Sequence, residues 1–80
     1  MRVPRDLSGP ELIRRLGRLG YAGTRQSGSH VRLTTTESGE HHVTVPNHDP
    51  LRLGTLSAIL GAVAAHHGID RDQLLKRLFD

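Results

Sequence analysis

The sequence predicts an α+β domain in which three antiparallel strands form a sheet covered by helices on one face. Three observations lead to this prediction. Apolar residues recur at helical spacing near both ends of the chain. Between these ends lie three short segments suited to strands, two of them rich in β-branched residues, separated by turns that contain glycine. The apolar residues of the last two strand segments fall on one face, so we expect the order α-β-β-β-α-α with a polar, open sheet face.

Length and composition restrict the class of protein. The 80 residues are expected to form a single domain, residues 1–80, and a chain of this size buries only about 60% of its unfolded surface. No cysteine is present, so neither a disulfide framework nor a thiolate zinc site is expected. No signal segment is recognised, and the longest uncharged stretch, residues 53–65, is too short to span a bilayer. We therefore expect a cytoplasmic protein without membrane contact.

Positive charge is concentrated in the N-terminal part of the chain. Residues 1–32 hold seven arginines and two acidic residues, a net charge of +5, whereas residues 33–80 hold four basic and six acidic residues, a net charge of −2. A basic patch of this kind favours a polyanionic partner. Because Tyr21 and Phe79 are the only aromatic residues, base stacking on an aromatic platform is not the expected mode of binding.

The first helix has a predicted start near Gly9 and a predicted end at Gly20. Ser8 is the expected N-cap, and Glu11 three residues later would complete a capping box. The helix carries one apolar stripe, formed by Leu12, Ile13, Leu16 and Leu19. Arginines beside such a stripe usually form a solvated face, but their single sign favours phosphate contact, and we assign this role to Arg14 and Arg18.

Strands are predicted at residues 21–26, 30–36 and 41–46. A two-residue turn at 38–39 would split the valines and leucines between both faces, whereas a three-residue loop at 37–39 pairs Val31 with Val45 and Leu33 with Val43. The second register gives one apolar face. The opposite face then displays His30, Arg32, Thr34, His42 and Thr44.

Two further helices are predicted after the strands. Apolar spacing indicates a helix that begins near Gly54 and ends at Gly68, with Leu56, Ile59, Leu60 and Val63 facing the core. Asp70 and Gln73 form a second capping box, which opens a short helix carrying Leu74, Leu75 and Leu78.

The candidate chemistry lies at the step Gly28-Ser29-His30, where a turn enters the second strand. Backbone amides and a hydroxyl beside an imidazole suit a phosphate. A histidine can take the proton from an RNA 2′-hydroxyl, which then attacks its own phosphorus, while cationic groups stabilise the oxygen charges. Arg25 and Arg32 are the expected cationic donors, and His48 is a possible second proton-transfer group.

Simpler interpretations of the same residues stay open. A histidine at a strand edge is more often a solvated residue or a turn cap than a base, and His48 beside Asp49 more often forms a local hydrogen bond. A metal site is not expected, because His41 and His42 point to opposite faces of a strand. His66 and His67 diverge by about 100° on a helix, so this pair does not chelate a metal either.

Four segments together resemble the HicA-type (YcfA-like) mRNA interferase toxins of toxin–antitoxin modules. They are "LSGPELIRRLGRLGY", "RQSGSHVRL", "VTVPNHDPLRLGTLSAIL" and "GIDRDQLL". The resemblance implies a double-stranded-RNA-binding-like fold, metal-independent cleavage of mRNA without a cofactor, and His30 as the catalytic base with Gly28 and Ser29 in its motif. It also implies a HicB-type antitoxin as protein partner in a prokaryotic cytoplasm.

His42 on the basic face is an expected RNA contact of the interferase. Two other functions compete with this expectation. A non-catalytic RNA-binding module would use the same fold and the same face but would leave RNA uncut. A protein-interaction module would use the sheet face for a partner and would have no affinity for RNA.

Overall fold

The computed structural model describes residues 6–80, in which a three-stranded antiparallel sheet carries helices on one face and leaves the other face open. The order is the predicted α-β-β-β-α-α. Arg2 and Arg5, which belong to the basic N-terminal part of the sequence, lie outside the described residues. The elements are α1 (Gly9–Leu16), a short 3₁₀ helix (Gly17–Leu19), β1 (Ala22–Ser27), β2 (His30–Thr35), β3 (His41–Pro46), α2 (Leu53–His67) and α3 (Arg71–Phe79).

The central strand β2 pairs with both other strands. On the β3 side, Val31 pairs with Val45 and Leu33 with Val43, so the predicted register is confirmed. The turn that sets this register contains two residues in the left-handed region, Ser38 with φ 57° and the predicted Gly39 with φ 97°. Leu33, Val43 and Val45 are buried beneath the helices because this register puts them on the same face.

The hairpin between β1 and β2 is tighter than the predicted strand bounds, residues 21–26 and 30–36, imply. Ser27 pairs with His30, so only Gly28 and Ser29 form the turn. Gly28 has φ +57°, which glycine adopts without steric cost and which two-residue hairpins require at their first position. A bulge between Gly23 and Arg25 shifts the β1 register.

The hydrophobic core lies between the inner sheet face and the helices. The core-facing positions predicted for α2 and α3 are all buried, and those of the first helix are buried except Ile13, which is half-buried. The largest fully buried side chains are Leu12, Leu16, Leu33, Leu56, Leu60, Leu74, Leu75, Leu78, Val45, Val63 and Thr35. Thr35 is satisfied because its hydroxyl donates to the carbonyl of Leu19 over 2.8 Å.

The helix ends follow the predicted signals with one exception. The backbone amide of Glu11 donates to the Ser8 hydroxyl over 3.1 Å, but the Glu11 carboxylate accepts from Arg14 and Arg15. At α3 the complete capping box is present between Asp70 and Gln73. None of the helices between residues 6 and 80 has the length and apolar character that a bilayer span needs.

Candidate functional site

His30 is the first residue of β2 and is exposed at one end of the sheet. It pairs with Ser27 on β1 and with Pro46 on β3, so strands flank it on both sides. Because alternate residues of a strand share a face, His30 lies on the same open face as Arg32. The imidazole is therefore carried by the central strand and is accessible to a ligand.

The loop after β3 brings His48 to the same end of the sheet. The amide of Asn47 donates to the carbonyl of Ser29 over 2.5 Å, and the amide of Gly9 donates to the carbonyl of His48 over 2.7 Å. A Cβ atom on Gly9 would lie only 2.0 Å from the carbonyl oxygen of Pro46. The start of α1 thus packs directly on the loop backbone and fixes its position.

A cleft of about 270 Å³ opens between this loop, the start of β2 and the first turn of α2. Two imidazoles that can transfer protons and one guanidinium that can bind phosphate share it. Sequence reasoning missed Arg52 and Thr55, because only the fold brings the α2 start to β2. The residues that line the cleft are His30, Pro46, His48, Leu51, Arg52 and Thr55.

A second depression, the arginine groove, crosses the open sheet face. The bulge in β1 places Arg25 directly opposite Arg32, an arrangement of like charges that destabilises a sheet. Among the ion pairs formed within residues 6–80, none involves Arg25 or Arg32. The groove has a volume of about 330 Å³ and is lined by Thr24, Arg25, Arg32, Thr34, Glu40 and His42.

Hydrogen bonds connect four of the groove side chains in a row. The Glu40 carboxylate lies 3.0 Å from Nε2 of His42, and Nδ1 of His42 lies 2.8 Å from the Thr34 hydroxyl. The Thr34 hydroxyl in turn lies 3.1 Å from that of Thr24. His42, which the sequence analysis expects to contact RNA, thus has a partner for each ring nitrogen.

The arginines of the first helix make contacts within the helical layer. Arg14 and Arg15 bond to Glu11, and these two guanidinium groups hold the pKa of the Glu11 carboxyl below its ordinary value. Arg18 donates to the carbonyl oxygens of Arg77, over 3.3 Å, and Asp80, over 2.7 Å. These residues belong to the covered side of the sheet, so the structure does not bring Arg14 and Arg18 together with His30.

Four aromatic side chains, the histidine cluster, meet at the opposite end of the sheet from His30. They are Tyr21, His41, His66 and His67. The Tyr21 hydroxyl lies 2.7 Å from Nδ1 of His41 and 3.3 Å from Nε2 of His67. Burial, and then the neighbouring His66, lowers the pKa of His41 and of His67. Burial, and then Glu37, raises the pKa of Tyr21 to about 12.

This cluster was not expected from the sequence, in which His41 and His42, and His66 and His67, are only neighbouring pairs. The His66 imidazole also contacts the carbonyls of Glu37 and Gly39, each over 3.0 Å, and so ties α2 to the turn before β3. Within the part of the chain that the structure describes, no group of three or more ligating side chains is arranged to hold a metal ion. The ring contacts and hydrogen bonds of the cluster join β3 to α2.

Comparison with known protein families identifies a match over most of the chain. The family model described as the HicA toxin of bacterial toxin–antitoxin systems matches residues 9–65, which include β1 to β3, the loop and most of α2. No curated protein and no solved structure shows significant similarity. The match includes the cleft and the arginine groove described above. The chain therefore belongs to the HicA toxin family of bacterial toxin–antitoxin modules.

Proposed function

We propose that this toxin is an endoribonuclease that cleaves messenger RNA without a metal ion, with His30 as general base. The observation that carries the proposal is the position of His30: it is exposed on the open sheet face and shares one cleft with His48 and Arg52. Two imidazoles and a guanidinium can together supply the proton transfers and the charge stabilisation that phosphodiester cleavage needs.

In the proposed reaction, His30 accepts the proton of the ribose 2′-hydroxyl. The 2′-oxygen forms a bond to the adjacent phosphorus, and the bond from phosphorus to the 5′-oxygen breaks. A protonated imidazole, for which His48 is the candidate, donates a proton to the departing 5′-oxygen. The products are a 2′,3′-cyclic phosphate and a 5′-hydroxyl, and DNA is not cut because it lacks the nucleophile.

The proposed RNA contacts lie on the open sheet face around His30. Arg25 and Arg32 are opposed without a carboxylate partner within the described residues, so a phosphate would relieve their mutual repulsion. Gly28 and Ser29 form the turn at which the backbone can approach closely. Arg52, at the start of α2, is added to this set because it lines the cleft.

Contacts between RNA and the first helix form a separate part of the proposal. Arg14 and Arg18 already have partners in Glu11 and in the C-terminal end of α3. A role in RNA binding would therefore be additional to these contacts. It stays a prediction for both residues.

The family implies a cognate antitoxin as protein partner. We propose that this antitoxin is of the HicB type and that it inhibits the toxin in the bacterial cytoplasm by covering the open sheet face. The arginine groove and the cleft would then be occupied either by RNA or by the antitoxin.

The test is an incubation of the purified chain with an RNA oligonucleotide and with its all-2′-deoxy counterpart, each with and without EDTA. The proposal predicts cleavage of the RNA alone and a 2′,3′-cyclic phosphate at the new end. RNA that is bound but left intact would favour the non-catalytic RNA-binding module. Activity that EDTA abolishes would contradict the metal-free mechanism.

A further inference from the structure

The arginine groove contains a histidine, whose charge depends on pH, and a glutamate, whose negative charge is opposite to that of the two arginines. Arg25 and Arg32 line the groove as fixed cations, Glu40 lines it as an anion, and His42 lies beside Glu40. With His42 neutral, these four side chains carry a net charge of +1, and with His42 protonated they carry +2. An imidazole is the side chain that changes charge between about pH 5 and pH 8.

The hydrogen bonds of His42 can be satisfied in both charge states. When the ring is neutral, Nε2–H donates to Glu40 and Nδ1 accepts from the Thr34 hydroxyl. Thr34 has then used its only proton, and its oxygen can accept from Thr24 at 3.1 Å. Each of the three contacts, Glu40–His42, His42–Thr34 and Thr34–Thr24, then has one donor and one acceptor.

When the ring is protonated, the direction of the chain reverses. Nδ1–H donates to the Thr34 oxygen, which releases the Thr34 proton toward Thr24. The Thr24 hydroxyl can then donate to the carbonyl of Arg32, 3.3 Å away. Proton uptake by His42 thus requires rotation of hydroxyl groups and no loss of a hydrogen bond.

The charged groups around His42 determine which kind of ligand binds more tightly when His42 is protonated. Glu40 faces it from the adjoining turn, Arg32 and Arg25 line the same groove from β2 and β1, and His41 precedes it on the covered side of β3. A phosphate entering the groove meets two guanidinium groups and is repelled by Glu40. Protonation of His42 offsets that repulsion, so it favours a polyanion.

We propose that RNA binding in the arginine groove is coupled to protonation of His42, and that Glu40 is the residue that weakens this binding when His42 is neutral. In this proposal the groove binds one phosphate of the RNA backbone, and the cleft at His30 binds the neighbouring phosphate that is cut. Two residues of a strand span about 6.6 Å, so Arg32 can hold a backbone phosphate that neighbours the one beside His30. The inference rests on the proposed function, because it assigns the ligand of the groove as the RNA backbone.

The experiment measures the affinity of a fluorescein-labelled all-2′-deoxy oligonucleotide by anisotropy at about pH 5.5 and pH 8. This probe cannot be cleaved through a 2′-hydroxyl, so the native chain can be used. A single exposed charge contact predicts tighter binding at the lower pH by about two- to fivefold. His42→Gln is expected to lose this part of the pH response, and Glu40→Gln to bind about two- to fivefold more tightly at pH 8.

Lys76→Gln removes a positive charge from the exposed surface of α3 and is the matched control, with unchanged affinity expected. A His42→Gln variant with the pH response of the wild type would overturn the proposal, as would Glu40→Gln with the wild-type affinity. Cleavage of an RNA oligonucleotide is scored in a separate assay with the same protein preparations. If RNA is cleaved but His42→Gln keeps the wild-type pH dependence of affinity, the subsite proposal is refuted and the nuclease proposal stands. If binding depends on His42 protonation but RNA is not cleaved, the nuclease proposal is refuted and the subsite proposal stands.

Discussion

The imidazole rings of His41 and His66 stack with their centroids 4.3 Å apart and their planes 10° from parallel. This contact joins the start of β3 to the last turn of α2. Two positively charged rings at this distance would repel each other. The stack therefore favours the neutral form of His41, whose pKa is lowered by burial and by the neighbouring His66.

The histidine cluster predicts a loss of stability in acid. Burial and the neighbouring His66 lower the pKa of His41 and His67, whereas imidazoles of the unfolded chain titrate near about 6.5. Below that pH the unfolded chain binds more protons than the folded chain, so the free energy of unfolding is fully maintained above about pH 6.5 and falls as the pH drops through the lowered values. Urea unfolding at about pH 5 and pH 7.5 measures the difference.

Two variants connect this pH dependence to the cluster. His41→Gln should reduce the difference between the two unfolding free energies, since it removes one of the shifted groups. His48→Gln, on an exposed loop, should retain the full difference. An equal reduction in both variants would contradict the assignment.

The close approach of α1 to the loop predicts different effects for two glycines. Gly9→Ala should destabilise the fold and disturb the cleft, because the new Cβ would lie 2.0 Å from the Pro46 carbonyl oxygen. Gly17→Ala meets no atom within 4 Å and has φ −56°, so it should be neutral or stabilise by up to about 1 kcal/mol. Thermal unfolding of both variants checks this, and equal loss of stability would show that the approach at Gly9 is not tight.

Core packing predicts a second contrast, within α2. Leu60 is fully buried, so Leu60→Ala should lower the free energy of unfolding by about 2–5 kcal/mol. Leu53 is 52% exposed, and Leu53→Ala should change the free energy of unfolding by no more than about 0.5 kcal/mol. Chemical denaturation measures both, and similar effects would contradict the orientation of α2.

Arg18 predicts a stability effect that can be separated from RNA binding. Its guanidinium contacts two carbonyls at the C-terminal end of α3, so Arg18→Ala should cost about 0.3–1 kcal/mol of stability. If Arg18 also meets RNA, the slope of log affinity against log salt should fall by about 0.7. A slope identical to that of the wild type would remove Arg18 from the RNA interface and leave the role of His30 unaffected.

Local signals in the sequence were enough to predict the elements and the sheet register. Ser8, Gly68 and the pair Asp70 and Gln73 mark helix ends through contacts within a few residues. The register of β2 and β3 follows from the requirement that Leu33, Val43 and Val45 lie on one apolar face. Such features depend on near neighbours, which a sequence displays directly.

Features that depend on distant parts of the chain were missed. Arg52 reaches the cleft because α2 begins beside the end of β3, and the bulge that opposes Arg25 and Arg32 leaves no mark in the alternation of β1. One local prediction also failed: the Glu11 carboxylate bonds to Arg14 and Arg15, three and four residues away, in place of the expected capping-box contact. The position of His30 on the open face, in contrast, follows from the register alone.

The most direct measurement of the central claim compares wild type with His30→Ala in RNA cleavage by the purified chain, with circular dichroism to verify the fold. Because His30 is exposed and contributes little to the core, the variant should remain folded. Removal of a general base typically costs about 10²–10⁴-fold in rate. The predicted result is cleavage reduced by that factor. In bacteria that produce the variant, the growth arrest expected of the wild-type toxin should also be lost. A folded His30→Ala variant that cuts RNA at the wild-type rate would contradict the account.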